Sequence, residues 1–406
     1  MWKERMISFG ICIILCVGSV LILSDSAKAE DIEPNREVKE EQGVVNVDSK
    51  SVILTEMSTG NVIYEKDADL QLAPASVTKI MTMLLIFDAI HEGKLSLEDE
   101  VTVSEYAASM GGSQIFLEVG EKQNVDTMIK AIAVSSANDA CVAMAEYIAG
   151  TEEAFVESMN SRADGLGMVN TKFMNCNGLD SEGHVTTARD ISLMSRELMV
   201  NYPEITNYTM IWMENITHVT AKGSTEFGLS NTNKLVKQYP YTTGLKTGFT
   251  DSAKYCISAT ANHNDLDLNA VIMGADTIAD RTQDATKLLN YGFSTCQKYE
   301  DQENHVYQDI PVRQGVKGCV TGATNQTFSY VDTSQNNLED IQIRVVYDKT
   351  LSAPIEKGVA VGKVIYELNE KNIGENVILS TEKIEKMNML YAIKNIINEY
   401  LFVVNE

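Results

Sequence analysis

Ala73-Pro74-Ala75-Ser76-Val77-Thr78-Lys79-Ile80-Met81-Thr82-Met83-Leu84-Leu85-Ile86-Phe87 opens on a proline-led turn and continues as an almost unbroken apolar run. A proline is tolerated at a helix start, and the run that follows predicts a helix over 75–90, apolar nearly all round and therefore buried. Ser76 and Lys79 lie three residues apart, on one face of that helix. The serine gains the positive end of the helix dipole, and the lysine is drawn out of water, which lowers an amine's pKa and makes it a credible base near neutral pH. A second Ser-x-x-Lys, Ser380-Thr381-Glu382-Lys383, is late in the chain and polar in surroundings. The pattern alone is weak, and its context carries the signal.

Outward from this helix, Ser51–Thr55 and Asn61–Tyr64 are short β-branched runs around Ser58-Thr59-Gly60 and predict a hairpin. Val125–Met168 reads as helical, and Thr187 caps a further predicted helix ending before Pro203. Leu245–Phe249, Tyr255–Thr260 and Asn269–Gly274 predict strands, with Asn262-His263-Asn264-Asp265 as a turn, and Thr282–Tyr291 predicts a last helix. A hairpin, a helical block, then strands and a helix imply that distant parts of the chain share one sheet, an α/β (α+β) arrangement. Beyond Cys296, runs such as Ile341–Tyr347 and Gly358–Leu368 predict a small all-β domain. Over Lys386–Val404, apolar Leu390, Ile393, Ile396, Ile397 and Leu401 recur at helical spacing. An amphipathic terminal helix of this kind either docks on a membrane surface or packs on its own domain.

The N-terminus predicts a compartment. Lys3 and Arg5 precede the apolar run Ile7–Leu23 and the small-x-small site Ala27-Lys28-Ala29, so 1–29 reads as a secretory signal peptide, with an uncleaved anchor as the alternative. The acidic segment 30–44 reads as a flexible lead. The expected organisation is then a catalytic domain over 45–296, an all-β domain over 297–381 and the amphipathic helix over 382–406. The 406 residues carry 33 Lys+Arg against 57 Asp+Glu, a net charge of −24, which disfavours nucleic acid as a partner. Five cysteines follow the leader (141, 176, 256, 296, 319) without a C-x-x-C, and the five histidines lack metal-ligand spacing. Buried free thiols are expected, with no metal and no cofactor.

Two further motifs complete the picture. Ser136-Ala137-Asn138 offers a second hydroxyl for proton traffic and a carboxamide that both donates and accepts, though Ser158-Met159-Asn160 and Ser334-Gln335-Asn336 share its pattern. Lys246-Thr247-Gly248 falls on a predicted strand, where a cation and a hydroxyl suit a carboxylate and Gly248 lets a ligand backbone lie against the strand. In this order the three motifs resemble the active-site set of the penicillin-recognising serine enzymes. With Asp139-Ala140-Cys141, Asn175-Cys176-Asn177-Gly178-Leu179-Asp180 and Thr243-Gly244-Leu245 added, residues 45–295 look like the low-molecular-mass penicillin-binding proteins that are D-alanyl-D-alanine carboxypeptidases. The β domain and terminal helix match that family's layout.

The resemblance implies roles. Ser76 is the acylated nucleophile, Lys79 its base, and Ser136 a relay toward the leaving D-alanine. Asn138 holds the peptide amide, and Lys246 and Thr247 bind the terminal carboxylate beside Gly248. The N–H groups of Ser76 and Phe249 form an oxyanion hole, and Arg281 helps fix the carboxylate. Peptidoglycan stem peptides are the implied substrate, β-lactams the inhibitors, and the extracytoplasmic face of the membrane or the cell wall the location. The sequence departs from the family at Ala137, where glycine is common, at Phe249, where histidine is frequent, and in Asn231-Thr232-Asn233, where an arginine often stands. A DD-endopeptidase uses the same residues; a β-lactamase would need a glutamate motif not found between the second and third motifs. A non-catalytic wall-binding protein is the alternative from another class.

Overall fold

Every residue of the strand Ser51–Glu56 is buried, the mark of a strand paired on both edges and covered on both faces. A computed structural model describes residues 45–301 and 305–401. The expected signal peptide and acidic lead, over 1–44, lie outside the described residues. Ser51–Glu56 pairs with Val62–Lys66 on one side and with Leu266–Ala275 on the other, and the five-stranded sheet continues through Lys254–His263 to Thr242–Thr250. All four pairings are antiparallel. The first strands thus join the last three across more than 200 residues of chain, as the element order implied.

Side chains alternate across this sheet because the strand period is two. Ile53, Val271 and Met273 face a large core built from the helices Lys79–His91, Val125–Val134, Asn138–Ala149 and Ala188–Asn201. Val52, Leu54, Leu268 and Ile272 face the opposite way, onto Leu288 and Leu289 of the helix Ile278–Thr295. At the centre of the larger core Ile80, Met81, Met83, Leu84 and Ile86 are fully buried, each worth about 1.5–3 kcal/mol of apolar burial. Asn124, Thr151, Thr187 and Thr277 cap their helices by accepting a backbone N–H three residues on.

Two elements differ from the sequence-based expectation. The helix begins as α-helix only at Lys79; Ala75–Thr78 is a 3-10 turn. The pair Met213–Thr220 and Gly223–Ser230, a long hairpin, has no Asn-Gly or Asp-Gly turn to announce it and is polar at most positions on both faces.

Among the described residues after Cys296 the chain is all-β apart from one 3-10 turn and the terminal helix. A second five-stranded sheet runs Val306–Pro311, Cys319–Thr324, Lys371–Ser380, Ala360–Leu368, Gln342–Tyr347 around Ile310, Val364, Tyr366 and Ile378. Val331, from the ribbon Gln297–Asp301/Phe328–Asp332, reaches into the core under the helix Ile278–Thr295. The terminal helix spans Met389–Leu401, and Met389, Leu390, Ile393, Ile396 and Ile397 are exposed on it. Among the described side chains of this helix, packing on its own domain, one of its two readings, is not seen. Among the described residues no helix is long and apolar enough to cross a membrane.

Candidate active site

The turn Ala75–Thr78 puts Ser76 and Lys79 in line, since residues three apart eclipse in 3-10 geometry. Lys79 Nζ lies 3.1 Å from Ser76 Oγ and donates also to Asn138 Oδ1 at 2.7 Å and to the Asn177 carbonyl. Lys79 has no exposed surface, and none of these three partners carries charge. Burial lowers its pKa from the ordinary lysine value. Burial also pushes the Cys141 thiol up to about 12. That neighbour stays protonated and supplies no counter-charge.

Close packing holds the turn in place. Ala75 has φ +49°, a left-handed conformation for a residue with a side chain. A Cβ at Gly178 would stand 2.0 Å from the Ala75 carbonyl oxygen, and one at Gly248 would stand 2.9 Å from the Ser76 nitrogen. The glycine of Lys246-Thr247-Gly248 thus lets the strand approach the backbone of Ser76; the sequence reading had given that space to a ligand. His184 buttresses the turn from behind. Its Nδ1 accepts from the Met174 N–H at 2.8 Å, so Nε2 carries the proton and donates to Thr78 Oγ1 at 2.9 Å. Thr78 Oγ1 in turn donates to the Ala75 carbonyl at 2.8 Å. Burial lowers the His184 pKa to about 4, which keeps the ring neutral.

Ser136 sits in the short connection between the helices Val125–Val134 and Asn138–Ala149, at φ +60°. Its hydroxyl accepts from Lys246 Nζ at 2.9 Å, while the same amine donates to the Thr247 carbonyl at 3.0 Å. Lys246 is 1% exposed, and its pKa is driven well below the ordinary value by burial and then by the Lys79 and Arg281 charges. Asn138 is buried with both ends of its carboxamide engaged, Oδ1 by Lys79 and Nδ2 by the Gly111 carbonyl at 2.7 Å. In this arrangement it positions Lys79, and a lone pair and an N–H remain on the carboxamide for the substrate amide expected from sequence. The other Ser-x-Asn copies bond no group of the cleft: Asn160 holds the Phe173 backbone, and Asn336 bonds Asp332 and Asn369.

A cleft of about 450 Å³ opens over Ser76 and Ser136. Ser76, Ser136, Thr247, Gly248, Phe249 and Arg281 line it, so six of the nine sequence-based candidates open on one space. Lys79, Asn138 and Lys246 stand directly behind them. Arg281 is 5% exposed, its Nε has no partner, and its guanidinium carbon stands 5.8 Å from the Tyr255 ring centroid. Tyr255 also stacks on Phe249 at 4.4 Å, which explains how an aromatic ring is accommodated there. Sequence reasoning missed Thr232, whose Oγ1 accepts from Thr247 Oγ1 at 2.8 Å at the cleft wall. Asn231 and Asn233 hold it by bonding the Ile211 and Gly244 carbonyls. Thr242–Thr250 ends the sheet, so one strand edge is free toward the cleft.

A family model described as D-alanyl-D-alanine carboxypeptidase matches residues 36–277. The chain belongs to the D-alanyl-D-alanine carboxypeptidase family. A second model, for the C-terminal domain of penicillin-binding protein 5, matches 297–386. The chain is 39% identical to D-alanyl-D-alanine carboxypeptidase DacF of Bacillus subtilis over 87% of its own length and 90% of that relative. It is 32% identical to DacC of Escherichia coli, over 84% of this chain and 85% of the relative. Penicillin-binding protein 5 of Haemophilus influenzae superposes with a TM-score of 0.74 at 26% identity, over 85% of this chain and 100% of that one. The fold is accordingly that of a penicillin-recognising serine peptidase followed by an all-β domain.

Proposed function

We propose that this protein is a serine D-Ala-D-Ala carboxypeptidase, which removes the terminal D-alanine from peptidoglycan stem peptides and is acylated by β-lactams at the same serine. The observation that carries this reading is the 3.1 Å contact between Ser76 Oγ and a fully buried lysine amine with a lowered pKa. Ser76 Oγ attacks the penultimate D-alanine carbonyl while Lys79 takes the hydroxyl proton. The developing oxyanion is held by the Ser76 and Phe249 N–H groups, where each donor is worth about 3–4 kcal/mol. The C–N bond then breaks, and the leaving D-alanine nitrogen receives its proton from Lys79 through Ser136. Water hydrolyses the ester and returns the proton to Ser76. Thr247, Thr232 and Arg281, whose Nε is free of any partner among the described residues, take the terminal carboxylate, with Lys246 directly behind them. Incubating a synthetic pentapeptide ending in D-Ala-D-Ala with the purified protein should yield tetrapeptide and free D-alanine by mass spectrometry. An unchanged pentapeptide would refute the reading.

The enzyme works outside the cytoplasm: the segment 1–29 directs export, and 30–44 tethers a catalytic domain over 45–296 and a β domain over 297–381. The helix Met389–Leu401 docks on the membrane surface, a role supported by the exposed Leu390, Ile393 and Ile396, while 384–386, expected within the helix, bridge instead to the β domain. Deleting 386–406 should release the protein into the medium, and continued membrane association would count against that role.

A further inference from the structure

Among the described residues Arg281 is a buried cation that no acid answers. It stands in the first turn of the helix Ile278–Thr295, at the positive end of the helix dipole. The two nearest acids of that helix are taken elsewhere. Asp280 accepts from Thr277 Oγ1 at 2.6 Å, and Asp284 accepts from the Asp48 and Ser49 N–H groups and from Lys287 Nζ. Arg281 itself makes one long bond, from Nη1 to the Cys256 carbonyl at 3.4 Å. Burial lowers its pKa from the ordinary arginine value. Burial also pushes the Cys256 thiol up to about 11, so this neighbour stays protonated and brings no counter-charge.

What meets the guanidinium instead is an aromatic face. Its carbon stands 5.8 Å from the Tyr255 ring centroid, within reach of cation–π attraction. Tyr255 lies directly opposite Phe249 across the strands Lys254–His263 and Thr242–Thr250, so the two side chains share one face of the sheet. Their rings stack with centroids 4.4 Å apart and planes 30° apart. Phe249, Tyr255 and Arg281 all line the cleft. A carboxylate in the place of Tyr255 would consume the charge of Arg281, whereas a π face orients the guanidinium and leaves that charge to an incoming anion.

We propose that Tyr255 is a positioning residue of the reaction: its ring, braced by Phe249, aims the Arg281 guanidinium at the terminal carboxylate of the substrate. The proposal rests on the carboxypeptidase reading of the cleft and adds a determinant of its preference for a free carboxylate. The departure at Phe249 from the family's frequent histidine thereby acquires a use, as the second ring of the stack.

The test follows D-alanine release by the purified protein from a synthetic pentapeptide ending in D-Ala-D-Ala. Tyr255→Leu should raise KM about tenfold, equivalent to about 1.4 kcal/mol, with kcat within about twofold of native. Tyr255→Phe keeps the π face and loses only the hydroxyl, and should match native KM within about twofold. In an Arg281→Gln background, Tyr255→Leu should change KM by less than about twofold, because the partner it acts through is gone. Phe249→Leu should raise KM about threefold, and carries the test if Tyr255→Leu does not fold. A tenfold effect that persists without Arg281, a fall in kcat in place of a rise in KM, an unchanged KM, or a Tyr255→Phe protein unlike native would each overturn the role. A native protein that captures penicillin but releases no D-alanine would instead sink the carboxypeptidase reading. The same variants compared in penicillin acylation, where the ligand also carries a carboxylate, would then still decide for or against Tyr255.

Discussion

Ser-x-x-Lys occurs in two regions of this molecule, and the two copies have opposite chemistry. At Ser76-Val77-Thr78-Lys79 the backbone is helical, the amine reaches the hydroxyl, and burial lowers the lysine pKa. At Ser380-Thr381-Glu382-Lys383 the serine ends a strand and donates to the Glu356 carbonyl at 2.7 Å. Lys383 pairs there with the Glu356 carboxylate at 3.1 Å, and that hydrogen bond and charge raise its pKa. Four residue names fix a distance only when the backbone turns at three residues per step, and they make a base only where no acid answers the amine.

Breaking the first copy should have the largest effects. Ser76→Ala should abolish the mass shift on incubation with penicillin; a persisting adduct would move the nucleophile elsewhere. Lys79→Arg keeps the charge but cannot act as a neutral base, and should slow acylation about 10³-fold. In the native protein the acylation rate should fall as pH drops through the lowered Lys79 pKa and be flat above it. A rate still climbing tenfold per pH unit at pH 10 would mean that Lys79 titrates like Lys383. Gly248→Ala, which drives a methyl against the Ser76 N–H, should cost about 10²–10³ in acylation rate with the fold retained.

A smaller effect sharpens the contrast through stability. His184 holds the first copy's turn only as a neutral ring, with its pKa at about 4 against an ordinary 6.5. The unfolded chain binds the extra proton first, so this contribution is complete above about pH 6.5 and is lost progressively toward pH 4, on the order of 3 kcal/mol in all. Urea midpoints of the native protein and His184→Gln, compared at pH 7 and 4.5, should show a shallower pH dependence in the variant. Smallest of all, Ser380→Ala and Lys383→Ala should leave acylation within about twofold of native. A loss comparable to that of Ser76→Ala would erase the comparison.

Much of the catalytic half was legible in sequence because its signals are local: an all-round apolar helix, capping threonines, and three motifs whose residue types suit their work. What stayed hidden depends on chain segments that meet only in the fold. Thr232 carries no charge to draw notice, and only its register beside Thr247 makes it part of the wall. Gly178 and Gly248 answer a backbone approach that neither of their neighbourhoods announces. Asn138 reads as a substrate contact, and only the fold shows that it also holds Lys79 and Gly111.

The pairing of Ser51–Glu56 with Leu266–Ala275 has a consequence for the order of assembly. Such a non-local closure comes late, because loop entropy must be met before the contact rewards it. The strand bearing Lys246 joins the sheet only through Lys254–His263, which itself borders Leu266–Ala275. A growing chain that has not yet passed Ala275 therefore holds its nucleophile without the sheet that completes the site. Penicillin capture by nascent chains should switch on only once that last central strand has emerged.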